Sequence, residues 1–269
     1  MQATTSIAAP PPVAQPAAAS ATDRSALPQY SLRQILAIWA AAALPMGLLA
    51  WVVAPWLRDQ LGGRDPFIEA LLICLTAGLL WELALVLILL RRELGSLEWS
   101  RVRDALWLRP PRDPKTGRVG GKTWWWALLF VALMAVWAMV PAIPGPSARD
   151  LAEFVGADRG EDFFSGAWGW FGMLVAAALL APVVEELLFR GLLLPRMRGV
   201  FGKRDFVANG ALFTVYHVHQ PWSMPATLID GIVNQAYPTR RFQSTWMGLI
   251  THTIPSFVII GVVLSLVLV

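Results

Sequence analysis

The chain has 269 residues, 56% of them hydrophobic and only 15% charged, with a formal net charge of +4 and a mean hydropathy of +0.54. A soluble domain carries about 25% charged residues, so this composition excludes a cytosolic globular enzyme, and a single cysteine excludes a disulfide scaffold. The basic balance does not imply nucleic acid, because Lys and Arg of a membrane protein collect in its cytoplasmic loops. The expected fold class is all-α: a polytopic membrane helix bundle of six to seven transmembrane segments plus an amphipathic interfacial helix.

Residues 1–30 are rich in Ala, Pro, Ser and Thr and lack large aliphatics. They predict a disordered tail. They also lack the basic start and apolar core of a signal peptide, so the tail is expected to stay uncleaved. Spanning a bilayer as a helix takes about 20 apolar residues. Candidate spans run from Ile35 to Trp56, from Pro66 to Leu90 (with Glu69 and Glu82), from Trp124 to Ile143, from Trp168 to Leu194, over the short stretch Phe206 to Gln220, and from Thr245 to Val269. Residues 31–122 thus hold two helices and a basic loop, and 123–269 hold the rest.

The loops orient these spans. Residues 91–122 carry nine Lys and Arg, from Arg91 to Lys122, which places them in the cytoplasm. Two crossings precede them, so the N-terminus is cytoplasmic and the expected site is the plasma (inner) membrane. Residues 144–166 are mostly acidic and suit the outside, whereas 195–205 are basic again. Arg240 and Arg241 then decide between two readings of 223–237, a polar loop or an additional short crossing buried against protein. The charge rule favours the crossing. Within the basic loop, Trp99, Val102 and Leu106 recur at helical spacing. The stretch Leu94–Leu108 reads as an amphipathic helix on the cytoplasmic face, or as an ordinary solvated loop.

Ionisable residues inside apolar spans are costly and therefore functional candidates. Glu186 and Arg190 stand at i,i+4 and share a helix face. Glu185 is turned about 100° from Glu186 on an ideal helix, which leaves it without that local cation and suits it to general-base work. The competing reading is a helix end reaching the interface, where charges are ordinary. All three histidines, His217, His219 and His252, fall within or beside apolar helices. On an ideal helix His217 and His219 point about 200° apart and cannot both face one site. His219 is a helix-end residue or a second polar group at a cavity mouth. Asp230 and Asn234, at i,i+4, and Phe213 are candidate cavity lining. Glu82 has no partner visible in sequence. It pairs with an Arg or His of another helix or meets substrate.

Glu185-Glu186-Leu187-Leu188-Phe189-Arg190, then Phe213 to His217, then His252 in a later apolar helix, resemble the three motifs of the CPBP family of CAAX-processing and bacteriocin-processing proteases, also called the Abi family. The likeness covers about 165–265 and includes the Gly231, Tyr237, Ser244 and His252 run. It implies an intramembrane endopeptidase resembling type II CAAX prenyl proteases. Glu185 and His217 would activate a water, His252 would help bind the oxyanion, and Glu186 and Arg190 would orient the site. The family's third motif is usually H-x-x-x-N, and here Ser256 stands at the Asn position. Ser offers a shorter donor, and Pro255 is expected to disturb the helix between His252 and Ser256. The implied substrate is a membrane-associated peptide or protein, prenylated or a bacteriocin or leader peptide, met within the lipid bilayer.

Two alternatives stand beside this one. No cofactor is expected, but Glu185, His217 and His252 are also a set that could bind catalytic zinc, although no H-E-x-x-H is present. A non-catalytic protein of the same fold, with an immunity, binding or scaffold role, is the other.

Overall fold

A computed structural model describes residues 27–139, 143–146 and 148–269. The tail read over 1–30 therefore lies largely outside the described residues. Its last four are held in place: Tyr30 N–H donates to Arg196 O at 2.9 Å, and Gln29 donates to Pro195 O at 3.1 Å.

Among the described residues the structure is helical, without strands. Four helices are long and apolar enough to cross a membrane: α1 (Leu32–Arg58), α2 (Pro66–Leu94), α7 (Trp168–Arg196) and α10 (Thr245–Val267). Between them lie α3 (Trp99–Ala105), α4 (Gly121–Trp137), α5 (Leu151–Val155), α6 (Asp158–Phe164), α8 (Asp205–Tyr216) and α9, a continuous helical run over 224–242. This is a polytopic helical bundle, and the short segments crowd around the long ones. Trp125, Phe257, Val258 and Leu129 face outward, as apolar residues do where lipid rather than water surrounds a bundle.

The ends of the helices follow from local chemistry. Ser31 accepts from Gln34 N–H at 3.3 Å while the Gln34 side chain accepts from Ser31 N–H at 2.8 Å, a reciprocal capping box that starts α1. Asp65 caps α2 ahead of Pro66, whose missing N–H costs nothing there. Gly95, at φ 73°, closes the same helix in the left-handed conformation. That closure cuts the expected amphipathic helix Leu94–Leu108. Leu94 ends α2, and the interfacial helix is confined to the seven residues Trp99–Ala105. Beyond it Leu106 and Trp107 turn into the core.

The acidic stretch 144–166 is not simply a loop. It folds as α5 and α6, whose Phe154, Phe163 and Phe164 stack edge to face, with the closest centroids 4.8 Å apart. Pro255 does not interrupt α10, which runs helical from Thr245 to Val267. Proline within a membrane helix is tolerated where neighbouring helices support the freed backbone.

One buried ion pair joins the start of the chain to two spans. Arg196 is fully buried and holds Glu93 through two of its nitrogens, at 2.5 and 3.0 Å. It also donates to Leu192 O and Ala105 O, and Tyr30 Oη donates to Glu93 at 2.6 Å. The bidentate geometry suits a planar guanidinium. Replacing Arg196 with Met is expected to strand Glu93 and destabilise the bundle by about 3–5 kcal/mol. The drop should be read as a lower unfolding midpoint of the purified protein in detergent, and an unchanged midpoint would contradict this account.

Candidate active site

The site lies where α7, α8, α9 and α10 meet. α7 loses its α-helical register just past Glu185, and residues Glu186–Leu193 form a π-helical stretch. Such widened turns leave a backbone group in need of a partner and recur at functional sites. Asn209 of α8 supplies one, donating to Phe189 O at 2.7 Å. α9 carries a second π-helical stretch, Asp230–Ala236, and the two face each other across the site. Arg190 spans the gap. It donates to Gly231 O at 3.3 Å and to the Gln235 side chain, and its guanidinium lies 3.9 Å from the centre of the Phe213 ring.

The i,i+4 pair forms as the spacing predicts: Arg190 Nη1 is 3.3 Å from Glu186 Oε1, both residues fully buried. Glu185 has no cation on its own helix, as the spacing predicts, and the side chain that approaches it comes from α10. His252 of α10 places Nδ1 3.1 Å from Glu186 Oε1 and Nε2 3.6 Å from Glu185 Oε2. One imidazole thus stands between two adjacent carboxylates, with a ring nitrogen towards each.

His217 reaches the same neighbourhood through aromatic contacts. The Phe213 ring is 4.6 Å from the His217 ring and 5.6 Å from that of His252. His217 Nδ1 lies 2.9 Å from Phe213 O. A carbonyl can only accept, so Nδ1 carries the hydrogen, and in the neutral ring Nε2 keeps its lone pair.

The expectation that His217 and His219 diverge is overturned. α8 ends at Tyr216, and His217–His219 form a 3-10 turn. The angular spacing of an ideal α-helix no longer applies there, and the two rings stack with centroids 5.4 Å apart.

The remaining candidates are spread around this centre. Asn234 donates to Asp230 at 2.6 Å, and its carbonyl accepts from Thr251, next to His252, at 2.8 Å. Ser256 is half-buried one turn beyond His252. Among the described residues no group of three or more His, Cys, Asp and Glu could hold a metal ion. The zinc set of Glu185, His217 and His252 is therefore not assembled as one.

Three residues escaped the sequence reading. Gln235 was visible only as one polar residue in an ambiguous segment. Tyr216 sits inside the second motif, and its hydroxyl donates to Glu185 Oε1 at 3.4 Å. Gly248 faces Glu186 from α10. A Cβ there would overlap Glu186 Oε2 and lie 2.8 Å from Thr239 Oγ1.

Residues 167–258 match the family model described as Rce1-like, type II CAAX prenyl endopeptidase. The CAAX-protease resemblance of the three motifs is shown for this segment, and with it a CAAX-protease-type function in general terms and a membrane-associated peptide as substrate class. Together with the four long apolar helices, the match supports an integral membrane location. No curated protein and no solved structure matches the chain.

Gly248→Ala is expected to push Glu186 off His252 and Arg190 and to lower cleavage by about 10²-fold, the scale of a small misplacement at a reacting centre. Gly261→Ala, on the same helix with nothing within 4 Å of the added carbon, should leave cleavage unchanged. Equal rates for the two variants would refute the role given to Gly248.

Proposed function

We propose that the chain is an intramembrane endopeptidase that hydrolyses a peptide bond with a water activated by Glu185 and His217. The observation that carries the reading is the His252 imidazole held between Glu185 and Glu186. Glu185 takes a proton from water, with His217 Nε2 accepting a hydrogen bond from the same molecule. The water oxygen bonds to the substrate carbonyl carbon. A proton on His252 Nε2 makes that nitrogen a donor to the resulting oxyanion, and Glu186 on Nδ1 balances the charge. Collapse breaks the C–N bond, and the proton held by Glu185 leaves on the amine. Arg190, anchored by Gln235 and Gly231 O, keeps Glu186 in place. Preorganised donors of this kind, shielded from bulk water, are where much of a hydrolase's rate enhancement arises.

Ser256 takes the place of the family's Asn and supplies a shorter oxyanion donor. This departure also favours the second reading, a non-catalytic protein of the same fold. The substrate is a membrane-associated peptide, with a prenylated C-terminus or a leader peptide as the two candidate forms. The basic 91–122 loop supports a cytoplasmic N-terminus; a plasma-membrane location is part of the same proposal.

The decisive comparison is of protein N- and C-termini in membranes expressing the wild type or Glu185→Gln at matched levels. Termini that vanish with Glu185→Gln are expected, and they identify substrates. Identical sets would leave the binding role standing. The chemistry proposed uses no metal. Cleavage of such a substrate by the purified protein should therefore survive a strong chelator, and loss restored by added zinc would overturn the scheme.

A further inference from the structure

Among the described residues, two that are not glycine hold the left-handed backbone conformation: Trp107 at φ 52° and Gln243 at φ 49°. That conformation is costly for any side chain with a Cβ. It persists where the surrounding structure enforces it, and it collects at ligand-binding and switch regions. The two residues belong to distant segments, Trp107 just past α3 and Gln243 just past α9. Both line one cavity of about 430 Å³, whose wall also holds Gln29, Pro195, Arg198 and Arg240. None of these residues belongs to the Glu185–His252 centre.

The wall holds more donors than acceptors. The Arg198 side chain is exposed and makes no ion pair or hydrogen bond among the described residues. Arg240 uses Nε on Asp205 at 2.7 Å, which leaves its two terminal nitrogens to donate elsewhere. Trp107 is buried, and no oxygen of the described residues meets its indole N–H. Gln29 is committed: it donates to Pro195 O at 3.1 Å and accepts from Gly199 N–H at 2.9 Å. It therefore closes the wall and adds no charge. The carboxylate in the wall, Asp205, is already held by Arg240. Such a cavity suits an anion with several acceptor oxygens. The planar guanidinium matches phosphate with two parallel hydrogen bonds.

The position of the cavity points to the source of that phosphate. It lies between the two basic stretches, 91–122 and 195–205, because Trp107 belongs to one and Arg198 to the other. Basic pockets between membrane helices take anionic lipid headgroups. Apolar side chains stand exposed beside the wall: Val200 follows Gly199, and Leu32 and Leu36 share a face of α1 just past Gln29. A free ion has no use for them, whereas acyl chains do.

We propose that this cavity binds the phosphate of an anionic lipid headgroup, gripped by Arg198 and Arg240. A free phosphate ion carries the same chemistry, and the test separates the two. The proposal is independent of the protease reading.

Native mass spectrometry of the full-length chain in detergent counts bound molecules directly. Phosphatidylglycerol, phosphatidylcholine and inorganic phosphate are titrated onto the wild type, Arg198→Gln, Arg240→Lys and Arg33→Gln. Arg33 is exposed at the start of α1 and lies outside the cavity wall. Its replacement removes the same charge without touching the site. The wild type should bind one phosphatidylglycerol in preference to phosphatidylcholine. Arg198→Gln should weaken that binding about tenfold, the scale of a hydrogen bond to a charged group. Arg240→Lys keeps the charge but loses the fork and should also bind more weakly. Arg33→Gln should match the wild type, and unfolding midpoints measured without lipid should be equal for Arg198→Gln and Arg33→Gln. Inorganic phosphate that binds through Arg198 while phosphatidylglycerol does not would keep the phosphate site and assign it to the free ion. Equal losses in Arg33→Gln and Arg198→Gln would overturn the proposal, since they would reflect only the attraction of a basic face for anionic lipid. Binding of both phosphatidylglycerol and phosphate that is indifferent to Arg198→Gln would overturn it as well.

Discussion

Every feature of this site answers one constraint: charge inside an apolar bundle must be met by charge or by hydrogen bonds. Glu186 and Arg190 meet it between themselves, one turn apart on α7. A pair so buried is weak support for stability, since its desolvation cost offsets much of its attraction. Its value is geometric. Arg190 is fixed by the Gly231 carbonyl and the Gln235 side chain from α9, and Glu186 is fixed in turn, which presents an oxygen to His252 from α10. Remove the cation and three helices lose their common reference.

The backbone cooperates with this arrangement. The π-helical stretches of α7 and α9 face one another, and each departs from regular helix where a polar side chain or carbonyl crosses between them. Asn209 closes the opening in α7 from the other side. Glycine is used where the carboxylate needs room, at Gly248, and where Arg190 and the Phe213 ring come close, at Gly231. These are the positions where side-chain bulk and the placement of Glu186 and Arg190 compete for one volume.

Much of this was legible in the sequence. Apolar runs located the four long helices within a few residues at most of their ends, because a membrane span needs little more than length and hydropathy. The Glu186–Arg190 pair followed from helical spacing, and the three motifs named the side chains that meet. The rest depended on departures from ideal helices. His217 and His219 were placed on opposite faces because nothing in their spacing announces that α8 stops at Tyr216. Spacing showed Glu185 without a cation on its own helix, but spacing along one helix carries no information about contacts across the bundle, such as that with His252. The helix after α2 is shorter than its spacing predicts because Gly95, in the left-handed conformation, stops α2 just past Leu94 and the next helix starts only at Trp99. Glu82 has no partner visible in sequence, and the packing of α2 against α7 buries it completely.

The collar of hydrogen bonds where α9 gives way to α10 sets a further limit. Thr245 N–H donates to Trp107 O, Arg112 N–H to Phe242 O, and the hydroxyls of Thr245 and Ser244 to Leu106 O and Arg109 O. The segment after α3 thereby fixes the point at which α10 begins. His252 follows Thr245 by two helical turns, or about 10 Å along the axis. The collar therefore acts as a depth gauge. One residue inserted or removed between Thr245 and His252 would turn the imidazole by about 100° around the helix axis and carry it off both carboxylates.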